Sequence, residues 1–84
     1  MTQPSIAGQV VLALRDQGLT IATAESLTGG LVCAALVDVP GASLVVRGGI
    51  VAYATDLKAA LLEVPVDLLA ARGAVDPDVA SAMA

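Results

Sequence analysis

Between Gly18 and Pro40, two apolar runs flank a polar, glycine-bearing joint, and this arrangement restricts the fold more than any other part of the chain. The first run, residues 19–24, is short, β-branched in part and bounded by Gly18 and by Glu25-Ser26, which fits a buried parallel strand better than a helix. The second, residues 31–37, is apolar on every face, follows Thr28-Gly29-Gly30 and stops at Asp38, Pro40 and Gly41. It reads as a buried helix over about residues 28–38. A strand passing to a helix through glycines opens a βαβ unit, so the sheet is expected to be parallel and the crossover right-handed.

The flanking segments extend this pattern. Pro4 and Ser5 open a helix over residues 4–17, with Ile6, Val10, Leu12 and Leu14 at helix-like intervals and Gly18 as its stop. Residues 44–54 hold two apolar runs, Leu44-Val45-Val46 and Ile50-Val51-Ala52-Tyr53, and at least the second should be a strand. Arg47-Gly48-Gly49 between them is expected to form a bulge or a close backbone approach. Thr55 or Asp56 then caps a helix that breaks at Pro65, a short helix follows to Arg72-Gly73, and Asp76-Pro77 is an N-cap and first-position pair for a last helix.

Composition removes several functions. With 57% hydrophobic residues and 12 charged ones (Lys+Arg 4, Asp+Glu 8), the chain is no disordered tail. No uncharged interval reaches the roughly 18 residues of a membrane span. The first basic residue is Arg15, which leaves no positive region for a signal peptide, so a cytoplasmic location and no membrane partner are expected. Zero His and one Cys exclude an intrachain disulfide, the usual zinc and copper ligand sets and His-based triads. At a net charge of −4, the four scattered cations make no nucleic-acid footprint. Small side chains, with 17 alanines and no Phe or Trp, bury little area each, so marginal stability alone, or further burial against a partner chain or a missing part of the same domain, is expected.

Three constellations could carry chemistry. Thr23-Ala24-Glu25-Ser26-Leu27-Thr28-Gly29-Gly30 lies at the strand-to-helix joint, where α/β sheets place ligands. It matches neither GxGxxG nor a Walker A loop, and an N-cap at Ser26 or Thr28 beside packing glycines would also explain it. Tyr53 is the one aromatic residue and Lys58 the one lysine. Without His, a serine with a lysine and a phenol is the remaining route to an activated nucleophile; a solvated Lys58 and a packed Tyr53 with a wet hydroxyl are the plain alternative. Arg47-Gly48-Gly49 could offer a cation and amides to an anion, or form a bulge beside a surface arginine. Glu25 is either a buried acid orienting the site or a solvated strand-end carboxylate, and Cys33 reads as a small core residue.

These segments, together with Gly73-Ala74-Val75 leading to Val79-Ala80 and Ala82-Met83-Ala84, occur in the order and spacing of the CinA carboxy-terminal domain family, which the whole chain resembles. The resemblance implies a three-layer α/β/α fold with a mainly parallel sheet, incomplete in this chain. Residues 1–84 would then be the amino-terminal part of a single domain, truncated to about its first half. It implies a nicotinamide-nucleotide amidase that turns nicotinamide mononucleotide into nicotinate mononucleotide and ammonia, in pyridine-nucleotide salvage, with no metal and no cofactor required, and a homo-oligomer when complete. Ser26 looks like the family's nucleophile, Tyr53 and Lys58 like its activating partners, and Thr28, Gly29, Gly30, Arg47, Gly48 and Gly49 like substrate-binding positions. Leu27 departs from the Cys often found there. The alternative is an inactive fragment or a non-catalytic association module of the competence/damage-inducible family. In an incomplete domain, apolar faces at residues 44–46 and 79–83 are expected to be exposed and to drive self-association.

Overall fold

The computed structural model describes residues 4–84. In chain order these form α1 (Ile6–Gln17), β1 (Ile21–Glu25), α2 (Leu31–Val37), a 3₁₀ turn (Ala42–Leu44), β2 (Val46–Val51), α3 (Thr55–Leu62), α4 (Val66–Arg72) and α5 (Pro77–Met83). The chain is α/β. β1 and β2 are hydrogen-bonded neighbours, and their register is parallel: Ile21 N–H donates to Val45 O, and Ala52 N–H to Glu25 O, both at 2.8 Å. Two compact units result, one of residues 4–23 with Gly30–Gly49, the other of Ala24–Gly29 with Ile50–Ala84. No helix among the described residues is long and apolar enough to cross a membrane.

In the first unit, the Ser5 hydroxyl caps α1 by accepting from Gly8 N–H at 3.1 Å. Gly18 closes the helix at φ 66, and Leu19 N–H reaches back to Leu14 O at 2.9 Å. The expected apolar stripe is displaced: Ile6 is 80% exposed, and the buried face runs through Ala7, Val10, Val11 and Leu14, the spacing of one helix face. These residues pack with Leu36, Ala42, Val45 and Ile21.

Two expectations for this unit need correcting. α2 starts at Leu31 rather than Thr28, with Gly30 at its N-cap in a left-handed conformation and no side-chain cap from Ser26 or Thr28. It is not a buried helix: Leu36 is buried, whereas Leu31, Val32 and Val37 are exposed on faces that the described residues leave uncovered. Arg47-Gly48-Gly49 does not interrupt the strand either, since β2 runs unbroken through it. The glycine at 49 answers a close approach, because a Cβ there would collide with Thr23 Oγ1 and stand 3.1 Å from Cys33 Sγ.

The second unit is built on Val64, Leu69 and Val79, joined by Ala59, Leu62, Leu68, Ala82 and Met83. α3 ends at Glu63, left-handed at φ 58, and Pro65 begins the turn into α4. The Asp76 carboxylate then accepts from Asp78 N–H at 2.8 Å and Val79 N–H at 3.4 Å, with Pro77 next in line, as the sequence predicts. Arg72 lies 3.5 Å from both Asp76 and Asp78 carboxylates, and with Arg72 and Asp78 open to solvent the pairing has small energetic weight. The expected exposure at residues 44–46 and 79–83 holds for Leu44 but not for Val45 or Val79, which close the two cores.

Candidate active site

Lys58 is the fourth residue of α3, and its side chain turns back toward the extended segment that precedes the helix. Its Nζ donates to Ala52 O at 2.9 Å, Tyr53 O at 3.0 Å and Ser26 Oγ at 2.9 Å. The residue is 0% exposed. A lysine is almost never buried to this degree unless its ammonium is satisfied, and these three oxygens match its three donors. The plain alternative of a solvated Lys58 is therefore overturned. The cause is a tertiary one: Ala52 N–H is bonded to Glu25 O, which holds the end of β2 against the residue preceding Ser26.

This arrangement has a specific chemical content. Two of the three tetrahedral directions on Nζ point at backbone carbonyls, which can only accept, so two N–H groups are fixed there. The third direction faces the Ser26 hydroxyl. As an ammonium, Lys58 donates along it; as an amine, it directs its lone pair along it toward the Ser26 O–H. The site can thus exchange one proton between Oγ and Nζ without moving any heavy atom, the arrangement needed to activate a serine.

The turn that carries the serine has its own internal bonds. Thr28 Oγ1 donates to Glu25 Oε1 at 2.6 Å, and Gly29 N–H donates to Ser26 O at 3.0 Å. Glu25 is 7% exposed, a buried acid beside the site rather than a solvated strand end. Every buried side-chain nitrogen or oxygen among the described residues has a partner.

The unit brings Ser26 and Lys58 together directly. Tyr53 is tied to Lys58 through its backbone carbonyl, and the residue is 69% exposed. Thr28 and Gly29 lie in the same turn as Ser26. Gly30, Arg47, Gly48 and Gly49 belong to the first unit, with Arg47 exposed on β2 and Gly48 at φ 143. Sequence reasoning missed the Ala52 carbonyl, the Thr28–Glu25 bond and the open cleft of about 440 Å³ into which Ser26 faces. Leu27, Ala74, Val75, Ala80 and Met83 make that cleft largely apolar. Only the recurrence of small residues after Gly73 could have hinted at its walls. No group of three or more His, Cys, Asp or Glu among the described residues could hold a metal ion.

Comparison with known proteins agrees with this architecture. The family model for the CinA C-terminal domain matches residues 3–84. A CinA-like protein from Frankia casuarinae is 54% identical over 80 residues, 95% of this chain and 18% of that protein. One from Desulfotalea psychrophila is 47% identical over 83 residues, 99% of this chain and 19% of its own length. Among solved structures, the competence/damage inducible protein CihA from Agrobacterium tumefaciens superposes with a TM-score of 0.91 at 37% identity, over 100% of this chain and 54% of that one. A CinA superfamily protein from Escherichia coli gives 0.90 at 27% identity, over 99% and 52%. The chain thus spans about a fifth of the curated relatives and about half of the solved chains, and by its sequence and its fold it belongs to the CinA C-terminal domain family.

Proposed function

We propose that this chain carries the nucleophile and base of a nicotinamide-nucleotide amidase, hydrolysing the carboxamide of nicotinamide mononucleotide to the carboxylate and ammonia. The observation that supports it is the 2.9 Å bond between a fully buried Lys58 Nζ and Ser26 Oγ, with the other two Nζ directions taken by carbonyls. Ser26 Oγ attacks the amide carbon while its proton passes to Lys58 Nζ. The carbon–nitrogen bond of the tetrahedral adduct then breaks as a proton reaches the nitrogen, and ammonia leaves. Tyr53, whose carbonyl anchors Lys58 and whose ring is exposed, delivers that proton through its phenol. Water next adds to the ester carbon and gives one proton to the Tyr53 phenolate, Ser26 Oγ departs and takes its proton back from Lys58 Nζ, and nicotinate mononucleotide is released.

The apolar cleft beside Ser26 suits a flat pyridine ring on the acyl side of the bond. Gly29 N–H is taken by Ser26 O, so the donors to the oxyanion are the Leu27 and Thr28 amides that follow the nucleophile. The direct test is ammonia release from nicotinamide mononucleotide, followed with the protein and with its Lys58→Ala variant. Release that depends on Lys58 supports the reading. Without any release, the alternative of a non-catalytic association module stands.

A further inference from the structure

We infer that Thr28 and Glu25 are positioning residues for the nucleophile: the Thr28 hydroxyl, donating to the buried Glu25 carboxyl group, clamps the turn that presents Ser26 to Lys58. The inference rests on the reading of Ser26 as the nucleophile, and it assigns the Thr28 side chain, as distinct from its backbone amide, to holding the turn rather than to binding substrate.

The bond measures 2.6 Å, a length typical of a hydroxyl donating to a carboxylate and about as short as such bonds become. The one proton of the Thr28 hydroxyl is therefore committed inside the protein and is not free to donate to a ligand. The two bonded residues flank Ser26, one immediately before it and one two residues after. The backbone is closed over the same stretch by Gly29 N–H donating to Ser26 O at 3.0 Å. On the other side, Glu25 O accepts from Ala52 N–H, and Ala52 O accepts from Lys58 Nζ, so Glu25 is anchored to the residue that anchors the base. Its side chain extends that anchorage to the far end of the turn. Glu25 is 7% exposed, whereas Thr28 is exposed, so the clamp reaches from the buried strand end to the exposed side of the turn.

A nucleophile has a narrow tolerance for displacement, and an error of about 1 Å can cost roughly a hundredfold in rate. Thr28→Val removes the donor while keeping the branched shape. Thr28 has no positive φ and is exposed, so valine introduces neither backbone strain nor overpacking.

The test uses a fluorophosphonate, which reports serine reactivity without requiring any particular substrate, with labelling at Ser26 read by peptide mass spectrometry. Wild-type protein should label at Ser26, Thr28→Val about tenfold more slowly, and Thr28→Ser within roughly threefold of wild type, because it retains the hydroxyl. Equal labelling of wild type and Thr28→Val overturns the inference, as does an equal slowing of both variants, which would implicate packing rather than the hydrogen bond. A crystal structure of Thr28→Val gives an independent decision: Ser26 Oγ displaced from Lys58 Nζ supports the clamp, and an unmoved pair overturns it. Wild-type protein that never labels counts against Ser26 as nucleophile, and the crystallographic comparison then still decides whether Thr28 holds the turn.

Discussion

Lys58 and Ser26, 32 residues apart in the chain, are joined by a 2.9 Å bond between Nζ and Oγ, with the lysine at 0% exposure and its other two donors fixed on the carbonyls of Ala52 and Tyr53. If this lysine acts by exchanging a proton, charge alone cannot replace it. Lys58→Arg should be nearly as damaging to turnover as Lys58→Ala, because a guanidinium keeps its proton at neutral pH. The ratio of the two rates decides; a largely active arginine variant would assign Lys58 to charge stabilisation.

The backbone and the phenol of Tyr53 are separable. Tyr53→Phe leaves the carbonyl that holds Lys58 in place, so labelling of Ser26 by a fluorophosphonate should stay within a few-fold of wild type. Turnover of the amide should fall roughly a hundredfold, because ammonia needs a proton to leave and the phosphonate's leaving group does not. Parallel loss of both activities would place the phenol in the activation of Ser26 instead.

Gly49 tests the packing of the first unit. Gly49→Ala forces a Cβ into Thr23 Oγ1 and against Cys33, and should destabilise by about 1 to 3 kcal/mol in denaturant unfolding. The same substitution should cost less in a Thr23→Ala background, since part of the collision is then removed. Additive effects would show that the approach is not what requires the glycine.

In the second unit the core and the cleft rim differ sharply. Val79→Ala, at 0% exposure, should cost about 2 kcal/mol, whereas Val75→Ala, at 91% exposure, should stay within about 0.5 kcal/mol. Similar losses at the two positions would contradict the placement of α5.

Local chemistry was legible where it acts over a few residues. The Asp76 cap, the stop at Gly18 and the parallel strand at the start of the joint follow from residue type and spacing alone, whereas α1 begins at Ile6 with Ser5 as its cap rather than at Pro4. The stripe on α1 takes in Ala7 rather than Ile6, because apolar residues occupy both faces of that helix and the pattern alone does not choose between them. The strand through Gly48-Gly49 was obscured because glycine signals a bulge and a close approach alike, and only the position of Thr23 and Cys33 separates the two. Lys58 illustrates the larger limit: a lone lysine near a helix start looks solvated, and its burial depends on a backbone bond from Ala52 to Glu25, 27 residues earlier in the chain. Ser26, Tyr53 and Lys58 were linked by family resemblance; the carbonyl anchors that orient the lysine required the fold.

Whether Ser26 is the nucleophile of an amide hydrolysis is decided by ammonia release from nicotinamide mononucleotide with a Ser26→Ala variant. Turnover should fall by roughly a thousandfold or more while nucleotide affinity stays within a few-fold, because a nucleophile lowers the barrier far more than it adds to ground-state binding. A variant that keeps most of the wild-type turnover would contradict the assignment of Ser26.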